Sequence, residues 1–307
     1  MRAGPERFGK VALLFGGQSA ERAISLKSGS AVLAALERQG VDVHPLDADA
    51  AILERLRTGG YARVFIMLHG RGGEDGQIQG ALEVLGIPYT GSGVLGSALG
   101  MDKYRCKLVW QGAALPTAEF ALLRSENGLA AAAALGFPLM IKPAREGSSI
   151  GMSRANDPDE LAAAWRLAAQ YDDQVIAERW ITGAEYTCAI LGREALPLIR
   201  LETPRAFYDY EAKYSADTTR YICPCGLPEV EEARLQELAL AAFDTAGAGG
   251  WGRVDFIVDA ARRAYLLEVN TVPGMTDHSL VPMAARARGI DFDDLTWRIL
   301  ETSLEQR

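Results

Sequence analysis

Gly252-Arg-Val-Asp-Phe-Ile-Val-Asp-Ala-Ala-Arg-Arg-Ala-Tyr-Leu-Leu-Glu-Val-Asn270 reads as a β-hairpin. Val254–Val258 and Ala264–Val269 are apolar runs, and Asp259–Arg263 is the polar turn between them. Side chains alternate along a strand. Arg253 and Asp255 therefore share one face of the first strand, and Glu268 and Asn270 share one face of the second. Carboxylates that face one another across strands repel unless a cation lies between them. A few hard oxygen donors suit Mg²⁺, which completes its shell with water and phosphate oxygens. The plain alternative is a surface hairpin with ordinary exposed charges. The apolar neighbours Phe256-Ile-Val258 and Tyr265-Leu-Leu267 argue against it.

Upstream, the strand Leu139–Lys142 runs into a loop of small residues, Glu146–Gly151. Free backbone N–H groups in such a loop, joined by one lysine, make a phosphate cradle. Lys142 follows Met140-Ile141, which favours the cradle over a solvated surface lysine. Glu178-Arg-Trp-Ile181, at the end of the strand Val175–Glu178, offers backbone amides for an adenine edge and apolar area for its faces.

The first hundred residues alternate strand and helix. Strands are expected at Lys10–Phe15, Val41–Leu46, Val64–Leu68 and Ile87–Thr90, and helices at Ser28–Arg38 and Gln77–Leu85. This alternation implies a parallel sheet covered by helices. A second region opens with the helix Lys103–Gln111 and continues through the strand Glu119–Leu123. Its Asp157-Pro-Asp-Glu160 is a strong helix start. The third region holds the strands Tyr186–Leu191 and Leu196–Leu201, the aperiodic stretch Thr203–Arg220, a long helix Glu229–Ala246 and the hairpin, and two helices finish the chain. At about 100–200 residues per domain, 307 residues allow two or three domains.

Composition narrows the function. Apolar residues make up 49% and charged residues 23%, as in ordinary soluble domains. Basic residues number 32 against 40 acidic, a net charge of −8, which argues against a general nucleic-acid binder and leaves room for a small phosphate ligand at a local basic patch. No apolar run approaches the roughly 20 residues that span a bilayer, and Val11–Phe15 is too brief for a secretory signal. A cytoplasmic protein with no membrane partner is expected. The four cysteines, with only Cys223-Pro-Cys225 close-spaced, fit reduced thiols rather than a structural zinc site.

Two motifs point elsewhere. Gly147-Ser-Ser-Ile-Gly151 fits the G-x-S-x-G elbow of α/β-hydrolases, with His69-Gly-Arg-Gly-Gly73 upstream and Asp255 and His278 following in Ser–acid–His order. A serine esterase is therefore the alternative reading. An elbow needs a helix directly after the nucleophile, however, and Gly151-Met-Ser-Arg154 reads extended. Gly91-Ser-Gly-Val-Leu-Gly96 fits a dinucleotide fingerprint. It follows the fourth strand rather than the first and lacks the acidic strand end about 20 residues on, so a tight turn is expected.

With these residues in place, the chain resembles the ATP-grasp ligases, and within them the D-alanine–D-alanine ligase family. The matching stretches are Phe15-Gly-Gly-Gln-Ser-Ala-Glu-Arg22, Leu68-His-Gly-Arg-Gly-Gly-Glu-Asp-Gly76, Tyr89-Thr-Gly-Ser-Gly93, Met101-Asp-Lys103, Lys142-Pro-Ala-Arg-Glu-Gly-Ser-Ser149, Phe207-Tyr-Asp-Tyr-Glu-Ala-Lys-Tyr214, Gly252–Asp255, Leu267-Glu-Val-Asn-Thr-Val-Pro-Gly-Met-Thr276 and His278-Ser-Leu-Val-Pro282. The resemblance runs from about Lys10 to the C-terminus. It implies an α/β (α+β), three-domain ATP-grasp architecture, with ATP held between two antiparallel sheets. Residues 1–101 would form a parallel α/β domain carrying the first D-alanine site. Residues 102–183 would form a central subdomain with the phosphate loop, and 184–307 a C-terminal subdomain with a lid, Thr203–Arg220, and the metal site.

The resemblance also implies roles. Lys103, Lys142, Glu178, Trp180, Ile181 and Glu185 would hold ATP, and Lys213 would meet its γ-phosphate. Asp255, Glu268 and Asn270 would hold two Mg²⁺, with Mn²⁺ as a substitute. Glu21 would pair with the ammonium of the first D-alanine and His69 would lie near its carboxylate. Ser279 and Leu280 would bind the carboxylate of the second, and Arg253 would stabilise the acyl phosphate and the tetrahedral intermediate. Glu21, Ser148 and Tyr214 would form a hydrogen-bonded chain. The implied activity is ligation of two D-alanines for peptidoglycan precursor synthesis. ATP and D-alanine would be its small-molecule partners, and a homodimer is compatible with it.

Overall fold

The structure is a computed structural model and describes residues 4–203 and 219–305. The first part comprises β1 (Val11–Phe15), α1 (Arg22–Arg38), β2 (Val43–Asp47), α2 (Ile52–Thr58), β3 (Arg63–Ile66), α3 (Gln77–Leu85), α4 (Val94–Met101) and α5 (Lys103–Gly112). Its sheet is parallel, in the order β2-β1-β3. Val11–Leu14 and Val64–Ile66 are buried runs, as a helix-covered parallel sheet requires.

Three expectations need correction here. The strand expected at Ile87–Thr90 is a single bridge, Val64 to Tyr89. Pro88 has no N–H to give, and Gly91, at φ +91°, turns the chain away. The helix expected from Ser28 begins at Arg22. Its small residues make close contacts: Ser25 Oγ accepts from the Gly16 N–H at 2.8 Å and donates to the Met67 carbonyl at 2.5 Å. A Cβ on Gly29 would come within 2.5 Å of Phe15. Finally, Gly91–Gly93 does form a turn, but Val94 starts α4, and Gly96 lies inside it. A side chain at Gly96 would meet the Gly247 carbonyl at 2.2 Å, so glycine permits that approach.

The second part comprises β4 (Phe120–Leu123), α6 (Leu129–Ala133), β5 (Leu139–Pro143), β6 (Ser153–Ala155), α7 (Pro158–Ala168) and β7 (Val175–Arg179). The sheet is antiparallel, in the order β4-β7-β5-β6. Asp157 caps α7 by accepting from the Glu160 N–H at 2.8 Å. A strand, β6, follows the G-x-S-x-G segment where a hydrolase elbow needs a helix. The esterase alternative is therefore ruled out by the backbone.

The third part comprises β8 (Gly183–Leu191), β9 (Glu194–Ala195), β10 (Ile199–Glu202), β11 (Arg220–Ile222), α8 (Glu229–Thr245), β12 (Trp251–Asp259), β13 (Ala264–Asn270), α9 (Leu280–Ala287) and α10 (Phe292–Thr302). The sheet runs β11-β10-β8-β12-β13, with β9 on β8. The strand expected over Leu196–Leu201 begins only at Ile199, after Pro197 has interrupted the ladder. The last two helices return to the beginning of the chain. Val281, Ala284, Leu295 and Leu300 share one core with Phe8, Val11–Leu14 and Val64–Met67. Phe8 meets Trp297 edge-on at 4.8 Å. This closure brings Leu280, at the start of α9, and His69, just after β3, to one cavity.

Candidate active site

Two cavities meet at the centre of the molecule. One, of about 450 Å³, is lined by Lys103, Lys142, Glu178, Trp180, Ile181, Glu185, Asp255 and Glu268, so the second and third sheets face each other across it. The other, of about 500 Å³, is lined by Glu21, His69, Ser148, Arg253, Asn270, Ser279 and Leu280. Lys103 and Glu268 line both. The sequence-expected site residues among those described thus come together around one junction. Lys213 and Tyr214 lie outside the described residues.

The hairpin supplies the junction. Arg253 pairs with Asn270 and Asp255 with Glu268 across β12 and β13, so all these side chains emerge on one face. The register then shifts by one residue at Asp255/Phe256, leaving Leu267 as the extra residue of a bulge beside the cavity. The buried Asp255 carboxylate accepts from Arg253 Nε at 2.8 Å and Nη2 at 2.7 Å. It also accepts from Thr187 Oγ1 at 2.6 Å and Asn270 Nδ2 at 3.0 Å. Thr187 sits opposite Asp255 on β8, a partner the sequence did not single out. Glu268 lies 3.3 Å from Lys103 Nζ, and Lys103 also donates to the Glu146 carbonyl at 2.7 Å.

Lys142 projects from β5 to within 2.8 Å of Glu178 Oε1 on the neighbouring β7. A second, unforeseen lysine, Lys107 of α5, reaches the same oxygen at 3.4 Å. Burial pushes the Glu178 carboxyl up, but the two ammonium groups outweigh it and hold it below its ordinary value.

In the second cavity, Ser148 donates a short hydrogen bond to Glu21 Oε1. Ser148 and Ser149 both adopt left-handed backbone, at φ +52° and +58°, in a turn closed by Ile150 N–H to the Gly147 carbonyl at 3.1 Å. Glycines let Glu21 approach: a Cβ on Gly147 or Gly70 would lie 2.9 or 2.8 Å from its Oε2. Glu74, also missed in the sequence, accepts from Gly70 N–H at 2.7 Å and Val272 N–H at 3.1 Å. It thereby ties the loop after β3 to the loop after β13. Burial and the adjacent Glu21 carboxylate raise the Glu74 carboxyl well above the usual range. Burial pushes the His69 imidazole down to about 4, with a hydrogen bond to the Val272 backbone in partial opposition. His69 is therefore neutral at pH 7. Ser279 Oγ accepts from Thr276 N–H at 2.9 Å, and Leu280 opens α9 with its N-terminus at the cavity.

The family description "D-ala D-ala ligase C-terminus" matches residues 109–301, and "D-ala D-ala ligase N-terminus" matches 10–61 and 53–92. The chain is 65% identical, over 95% of its length and 94% of the relative's, to a D-alanine–D-alanine ligase of Alkalilimnicola ehrlichii. The chain belongs to the D-alanine–D-alanine ligase family. The fold agrees. The crystal structure of the Bacillus anthracis family member superposes with a TM-score of 0.87 at 34% identity, covering 96% of this chain and 97% of that one. A crystal structure of a D-alanine–D-alanine ligase from Bacillus anthracis complexed with ATP gives 0.84 at 30% identity over 96% and 97%.

Proposed function

We propose that this enzyme joins two D-alanine molecules, using ATP, to give the dipeptide of peptidoglycan precursors, and that the two cavities divide the work. ATP occupies the cavity between the second and third sheets, with its adenine at Glu178–Ile181 and Glu185 and its phosphates toward Lys142 and Lys103. The first D-alanine lies in the other cavity, its ammonium at Glu21 and its carboxylate toward the junction. The single observation that carries this reading is that Lys103 and Glu268 line both cavities, so a terminal phosphate and a carboxylate meet there.

The chemistry follows from that meeting. A carboxylate is a poor electrophile. Its oxygen attacks the γ-phosphorus, ADP leaves, and the acyl phosphate gains a leaving group. The free amine of the second D-alanine then attacks the carbonyl carbon, and phosphate departs with the original carboxylate oxygen. Arg253 would stabilise the negative charge that develops on the former carbonyl oxygen of the tetrahedral intermediate. The N-terminus of α9 at Ser279-Leu280 favours the second carboxylate through the positive end of its dipole. Asp255, Glu268 and Asn270 fit Mg²⁺, because they are oxygen donors gathered on one sheet face where the two cavities join. A bound Mg²⁺ would neutralise phosphate charge during transfer. Lys213 and Tyr214 complete the proposed set.

The test uses D-alanine labelled with ¹⁸O in its carboxylate. One labelled oxygen is expected in the released phosphate. Unlabelled phosphate alongside dipeptide would rule out the acyl phosphate route.

A further inference from the structure

Lys107 takes no part in the reading above, yet it is a fully buried lysine. Its ammonium lies 2.5 Å from Thr117 Oγ1, 3.1 Å from the Leu266 carbonyl and 3.4 Å from Glu178 Oε1. Lys142 reaches that same oxygen from the cavity side, at 2.8 Å. Lys142 and Glu178 line the nucleotide cavity and Lys107 does not, so Lys107 stands behind Glu178. The buried cluster therefore holds one carboxylate and two ammonium groups, a net charge of +1.

That surplus has a consequence for binding. A phosphate must draw Lys142 away from Glu178. With Lys107 in place, Glu178 keeps a cation at its back when Lys142 turns. Without it, the turn would strand a buried, unpaired carboxylate, one of the most unfavourable arrangements in a protein interior. We propose that Lys107 is a positioning residue of the nucleotide site, which compensates Glu178 so that Lys142 is free for phosphate. Its bond to the Leu266 carbonyl also ties α5 to β13 next to Leu267 and Glu268. The inference rests on the placement of ATP proposed above.

The test is a double-mutant cycle on the full-length enzyme, read by calorimetric titration of ADP with Mg²⁺ and, separately, of adenosine. Lys107→Met removes the charge at similar volume. It is expected to weaken ADP binding by roughly tenfold or more, the equivalent of about 1.4 kcal/mol, while adenosine binding changes little. In the Glu178→Gln background the net charge without Lys107 is again +1, so adding Lys107→Met should leave ADP binding within roughly threefold. Equal losses for ADP and adenosine, or the same loss in both backgrounds, would make Lys107 a packing residue and overturn the proposal. So would unaltered ADP binding in Lys107→Met. If Lys107→Met does not fold, the double variant decides. Folding with ADP binding close to that of Glu178→Gln supports the proposal, and failure to fold or weak binding overturns it. Lys142→Met separates the two readings. Undiminished ADP binding there would refute the nucleotide placement itself, whereas a loss there without one in Lys107→Met would refute only the role of Lys107.

Discussion

Replacing Ser148 isolates the contact between the phosphate loop and the substrate cavity. Its hydroxyl donates to the Glu21 carboxylate, and its backbone is left-handed at φ +52°. Ser148→Ala and Ser148→Gly both remove the donor, but only glycine relieves the backbone, where an L-residue costs about 1–2 kcal/mol. A hydrogen bond to a charged group is worth about 1.5–3 kcal/mol. Both variants should therefore lose roughly tenfold to a hundredfold in kcat/KM for D-alanine. They should differ in stability, with glycine the more stable by roughly 1 kcal/mol. Coupled ADP release at varied D-alanine gives the first quantity, and urea unfolding gives the second. If kcat/KM is unchanged in both, Ser148 does not orient Glu21. If activity follows stability across the pair, the loop matters through its fold and not through the hydroxyl.

Glu268→Gln should lower turnover by at least roughly a hundredfold while leaving the thermal midpoint without ligand unchanged. A Mg²⁺ titration alongside thermal unfolding checks this, and retained activity with a lowered midpoint would make Glu268 structural. His69 has its pKa lowered by burial from 6.5 to about 4, so the folded state binds fewer protons than the unfolded state between those values. The associated stability is fully present above pH 6.5 and lost as pH falls toward 4, on the order of 3 kcal/mol. His69→Gln should flatten this slope in urea unfolding at pH 7 and pH 4.5, and an unaltered slope would mean that His69 is not held neutral.

The hairpin and its face were legible because strand alternation is a local rule and Asp255, Glu268 and Asn270 obey it. Lys142 was legible because its strand is apolar on both sides. Lys107 was not, since a lysine on a helix ordinarily faces water. Only its spacing from Lys103, one helical turn earlier on the same face of α5, pointed inward. Gly96 read as part of a tight turn, although it lies in a helix at a close approach to another segment. Such approaches are properties of tertiary packing. The return of α9 and α10 to the first core is another. Glu74 lay within a recognised stretch, but its bridge to Val272 joins loops far apart in the chain. Thr187 carried no signal beyond the strand it occupies.

The most direct measurement follows ADP, phosphate and dipeptide together from ATP with D-alanine, with L-alanine and with no amino acid. The account predicts formation of ADP, phosphate and D-alanyl-D-alanine in equal amounts with D-alanine, and only slow ATP hydrolysis otherwise. Equal ATP turnover with L-alanine, or none with D-alanine, would contradict it.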